Sequence, residues 1–175
     1  MFLIFLKNLE KNNPMSLDAC VYCDCYEKGR LISPPPEGMS LYVSKCGALE
    51  YEDCNRMPIE QALGFDKWLL SSCEHPDRIF IHHFLGNIAT IEHVRSELMR
   101  KPDLFPIILT RVVYNGVHCG DFLDLETIQN IQQEIDQLPL LECSSSHAKK
   151  FLSHFHSQMK ELTAAALSLG KPIAF

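Results

Sequence analysis

From Ser144 to Pro172 the chain carries a pattern that a long amphipathic helix satisfies. Ser144, Ser145 and Ser146 offer a cap, and Ala148, Phe151, Phe155, Met159, Leu162 and Leu169 recur at helical spacing on one face. Gly170-Lys171-Pro172 ends the run. An apolar stripe of that length has to be covered by another layer of structure. The upstream sequence supplies one.

Leu17, Ala19, Val21, Cys23 and Cys25 alternate with Asp18, Cys20, Tyr22 and Asp24, the period of a strand, and Gly29 supplies a stop. Segments 41–44 and 48–51 read as a hairpin turning at Gly47, and a helix begins near Pro58. R-I-F-I-H-H-F at 78–84 reads as a buried strand, and Gly86-Asn87 opens a helix that ends near Lys101-Pro102. The most apolar, β-branched run, F-P-I-I-L-T-R-V-V-Y at 105–114, is expected as a central strand. Asp124 then caps a helix with Ile128, Ile131, Ile135 and Leu138 on its inner face. The succession predicts an α+β fold: a mixed four- or five-stranded sheet with about four helices, mainly covering one face.

These elements fill a single domain over residues 15–175, and residues 1–14 stand apart as an upstream-start extension, a disordered arm or a docking segment. Their apolar run, Phe2 to Leu6, is shorter than the ~7–15 residues of a signal sequence and far too short to span a bilayer. A cytoplasmic protein is expected, with no membrane partner. A net charge of −6 speaks against a sequence-independent grip on nucleic acid, which needs clustered Lys and Arg. In a reducing compartment the eight cysteines are expected as free thiols.

Three of those cysteines fall in A-C-V-Y-C-D-C-Y, residues 19–26. A zinc knuckle presents its thiolates from a tight turn, whereas Val21 and Tyr22 are strand formers. Cys20 and Cys23 then point to opposite faces, and no matching C-x-x-C occurs elsewhere. The triplet therefore reads as a buried strand, with no metal and no cofactor. A second candidate is the loop V-H-C-G-D, where His118, Cys119 and Asp121 lie between an apolar strand and a helix. Should that strand neighbour the one ending at His82-His83, an imidazolium could activate Cys119, or His82, His83 and His118 could hold a metal. The alternative is that these histidines bond backbone at strand ends, and that Asp121 closes a local turn. No nucleotide-binding, zincin or hydrolase motif is present.

The segments F-D-K-W-L-L, H-H-F-L-G-N-I and V-V-Y-N-G-V-H-C-G-D-F-L resemble a group of small uncharacterised bacterial proteins. Their arrangement is also similar to predicted immunity proteins of polymorphic toxin systems, over roughly Met15 to Pro139. The resemblance implies a cytosolic protein that neutralises a toxin by direct binding and has no catalytic residues to carry over. The partner surface would include the strand-end loops, with His83, Asn87, His118 and Asp121, and the purified protein would be free of metal. The competing expectation is a small metal- or thiol-dependent enzyme built on the histidines, Cys119 and Asp121.

Overall fold

The computed structural model describes residues 16–52, 58–114, 118 and 120–175. The arm expected over 1–14, and Cys119, lie outside those residues. The fold is α+β. Strand β1 (Ser16–Tyr22) pairs antiparallel with β4 (Ile79–Asn87) on one side and with β6 (Ile173–Ala174) on the other. Strand β5 (Phe122–Leu123) joins β6, giving the order β4-β1-β6-β5. A separate hairpin is formed by β2 (Leu41–Val43) and β3 (Leu49–Tyr51).

Leu17, Ala19 and Val21 of β1 face the main core, as their alternation requires. The long helix α4 (Ser146–Leu169) covers that face, capped by Ser145 and ended by Gly170 in the left-handed region at φ 65°. Phe155, Met159 and Leu162 are fully buried between it, α2 (Ile88–Leu98) and α3 (Leu125–Gln137). Asn87 and Asp124 cap α2 and α3, accepting from the backbone N–H of Thr90 and Thr127.

The central strand expected over 105–114 is not formed. Residues 106–112 turn helically, with a π-helical stretch at Ile108–Val112. Pro106 suits the first turn of a helix, and the carboxylate of Glu134 accepts the backbone N–H groups of Ile107 and Ile108, each at 2.8 Å. Leu109 donates to the Phe105 carbonyl and Val113 to that of Ile108. The run is apolar because Phe105, Ile108, Val112 and Val113 are buried, which a helical turn achieves as well as a strand.

Residues 26–72 form an insertion between β1 and β4. It holds β2, β3 and α1 (Ile59–Leu69), packed on a small core of Leu49, Tyr51, Phe65 and Trp68. The Tyr51 and Phe65 rings meet edge to face at 4.7 Å. With Cys46 and Ala62 the described residues of the insertion bury six apolar side chains, a thin core for a segment of this size, and units so small usually need a staple. The two chain crossings that join insertion to sheet form a neck, and Cys23, Cys25 and Cys73 gather there.

Candidate metal centre

Antiparallel pairing of β1 and β4 brings the end of the first strand to the start of the second. Tyr22 pairs with Ile79, and just beyond it the N–H of Cys23 donates to the Arg78 carbonyl at 2.7 Å. Cys23-Asp24-Cys25 therefore leaves the sheet beside Cys73-Glu74-His75, which returns to it. Four potential ligands result: the sulfurs of Cys23, Cys25 and Cys73 and a ring nitrogen of His75 all lie within 4.8 Å of one another. Among the described residues this is where three or more His, Cys, Asp or Glu donors converge.

The spacings suit a tetrahedral ion. With Zn–S near 2.3 Å and Zn–N near 2.0–2.1 Å, tetrahedral angles put two sulfurs about 3.8 Å apart, and a sulfur and a nitrogen about 3.6 Å apart. Cys23 Sγ lies 3.7 Å from Cys73 Sγ, and Cys25 Sγ lies 3.4 Å from His75 Nδ1. The three cysteines are buried and His75 is half-buried, its ring tilted against Phe80 at 5.5 Å between centroids. Burial first, then the neighbouring Cys23 and Cys73, push the Cys25 thiol up to about 12. A divalent cation reverses that preference by binding the thiolate directly.

The surrounding charges are arranged around the same point. Arg78 is buried, 3% exposed, with Nη2 lying 3.5 Å from the Cys23 carbonyl and 3.7 Å from Cys23 Sγ. Among the described residues its Nε and Nη1 have no hydrogen-bond partner, and its guanidinium carbon stands 5.6 Å from the centre of the Tyr26 ring. Asp24, between two ligands, is held by Lys28 and Arg30; these bonds outweigh burial and keep its carboxyl below the usual range. Asp77 and Arg78 both adopt left-handed backbone, φ 53° and 59°, which costs a non-glycine residue of order 1–2 kcal/mol. That turn returns the chain from His75 into β4 with the guanidinium against Cys23.

Of the residues expected to act together, His118 and Asp121 are neighbours, while His82 and His83 each have another partner. His82 projects to the open side and bonds Asp18 at 3.1 Å, while His83 faces α4 and bonds Glu161 at 2.9 Å. His118 follows the helical turn instead of a strand, and its ring lies tilted against Tyr114 and Phe175 with ring centroids at 4.2 and 5.5 Å. Asp121 accepts a hydrogen bond from the Tyr114 hydroxyl, and His118 Nδ1 lies 3.8 Å from it. His118 and Asp121 are thus neighbours, but His82, His83 and His118 share no donor set. Asn87 is occupied as a helix cap.

The buried state expected for Cys23 and Cys25 is found, while their place on a strand is not. β1 ends at Tyr22, and both cysteines belong to the turn that follows. Helical spacing from Ala62, Phe65 and Leu69 places Cys73 on the helix that begins near Pro58, but that helix ends at Leu69, and the ligand pattern is C-x-C with C-x-H, not a repeated C-x-x-C. A scan against protein-family models, a search of curated proteins and a search of solved structures each find no match.

Proposed function

We propose that this is a zinc protein whose ion is structural, bound by Cys23, Cys25, Cys73 and His75 at the neck of the 26–72 insertion. The convergence of three buried sulfurs and one imidazole within 4.8 Å carries the reading. Thiolate-rich tetrahedral sets select zinc among the common divalent metals, and four protein ligands leave no open position for water or substrate. The ion's work is then mechanical: it fastens both strands of the neck and lets a module with a thin core keep its shape.

The test is direct. Protein purified under reducing conditions from zinc-replete cells is expected to carry about one zinc per chain by elemental analysis, and Cys73→Ser is expected to lose it. Wild-type protein that holds no zinc, and takes up no cobalt when offered it, overturns the reading.

A structural ion leaves the molecule's action to its surface, and we keep partner binding, in the immunity-type form that the resemblance implies, as the role of the assembled fold. What supports it is β4, at the end of the sheet order among the described residues. It presents Phe80 and Phe84 half-exposed on the side away from the helices. Such an edge can take a further strand from a partner protein. The expectation of metal-free protein that accompanied the immunity reading is given up. Phe80→Ser with Phe84→Ser is expected to abolish neutralisation by zinc-loaded protein of a toxin encoded beside it; full protection by that variant refutes this surface.

A further inference from the structure

We propose that Arg78 is the charge-balancing and positioning residue of the metal centre, offsetting the surplus charge of its thiolates and fixing Cys23. This rests on the zinc reading. Three thiolates and a neutral imidazole on a divalent ion leave one net negative charge, in a site whose three sulfurs are buried. A buried charge needs a partner. Arg78 supplies a guanidinium cation that is itself 3% exposed.

The guanidinium is otherwise poorly accounted for. Nη2 approaches Cys23 through both its carbonyl and its sulfur, and Nε and Nη1 find no acceptor among the described residues. Of the two carboxylates flanked by ligands, Asp24 is taken up by Lys28 and Arg30, and Glu74 is exposed. A cation left buried beside sulfur makes physical sense when the sulfur carries negative charge, because N–H···S⁻ bonds then satisfy it. The left-handed residues Asp77 and Arg78 point the same way, since a strained turn persists only where the surroundings hold it. Tyr26, stacked on the guanidinium, belongs to the turn after Cys25, so the same side chain also packs against the insertion.

Removal of an outer partner of a metal ligand commonly lowers affinity about 10–100-fold, and that is the loss expected for Arg78→Gln in zinc competition against a chelator. Arg78→Lys, which keeps the charge, is expected to recover most of it. Cobalt-loaded protein gives a readout that packing alone would not move. Without the cation beside it, the Cys23 thiolate gives up an electron to the metal more readily, so the sulfur-to-cobalt charge-transfer band of Arg78→Gln moves to longer wavelength. In Arg78→Lys it returns toward the wild-type position. In wild-type protein loaded with cadmium, the Arg78 side-chain N–H resonances are expected to shift and to exchange slowly with solvent.

Equal affinity and an unshifted band in Arg78→Gln overturn the proposal, as do equal effects of Gln and Lys. Should Arg78→Gln not fold, unchanged Arg78 resonances on cadmium loading of the wild type decide against it. Failure of the wild-type protein to bind any of these metals is a different result: it removes the zinc reading itself.

Discussion

Removal of the ion should loosen the neck, and the size of the effect follows from chain geometry. Cys23 and Cys73 are separated by 50 residues, so an unfolded chain offers the metal only two-ligand halves unless it closes that loop. Closure costs about (3/2)RT ln n, roughly 3.5 kcal/mol for a loop of that length. In the folded protein β1 and β4 have already brought the two halves together. An ion that needs all four ligands therefore favours the folded state by at least about that amount, and ligand linkage turns the preference into stability. For a chain of 150–250 residues, 1 kcal/mol moves Tm by about 2–4 °C, so full chelation should lower Tm by about 7–14 °C. Cys73→Ser should lower it similarly and make the melt indifferent to chelator. The assay is thermal unfolding followed by circular dichroism, with zinc or with a strong chelator, under reducing conditions. Hydrogen exchange should locate the loss in residues 26–72, with little change around Phe155 and Met159. Superimposable melts of zinc-loaded and zinc-stripped protein would refute the reasoning, because the ion would then fasten nothing.

Other consequences concern the main body. Phe155→Ala removes a ring that is 1% exposed between helices and sheet, and should cost about 3–5 kcal/mol in denaturant unfolding while leaving zinc content unchanged. Burial works to raise the Glu97 carboxyl, but the hydrogen bonds from Ser144 and the Arg100 guanidinium outweigh it and hold it below its ordinary value. A depressed carboxyl stabilises the fold above its unfolded pKa, and that contribution is lost as pH falls through the folded one. Glu97→Gln should therefore cost about 1–3 kcal/mol at neutral pH and flatten the acid limb of the stability curve. Gly86→Ala should destabilise by about 1–3 kcal/mol, since Gly86 has φ 153° and a Cβ there would lie 2.9 Å from the Thr90 side chain.

The helices were readable because caps and period coincide: Asp124 with Ile128, Ile131 and Ile135, and Ser145 with Phe155, Met159 and Leu162. The strand expected over 78–84 was readable too and runs as Ile79–Asn87, but it is not a buried strand: Phe80, His82 and Phe84 are exposed on the side away from His83. Segment 105–114 misled because its β-branched composition carries no period, and the Glu134 carboxylate that caps its helical turn comes from another helix. The metal centre was half legible. Cysteine density marked Cys23 and Cys25, but alternation from Leu17 onward hid the end of the strand at Tyr22. Cys73 and His75 become ligands only through the pairing of β1 with β4, a long-range fact. Their position just ahead of a predicted strand was the available signal, because an antiparallel partner would bring them beside the residues that follow β1.

The zinc centre itself is tested most directly by X-ray absorption at the zinc edge of the purified protein. Three sulfur ligands at about 2.3 Å and one nitrogen at about 2.0 Å are predicted, with a nitrogen scatterer replacing none of the sulfurs. His75→Cys should convert the spectrum to four sulfurs, and Cys73→Ser should abolish it. A zinc shell of oxygen and nitrogen alone, or a wild-type spectrum unaltered by both substitutions, would contradict the assignment.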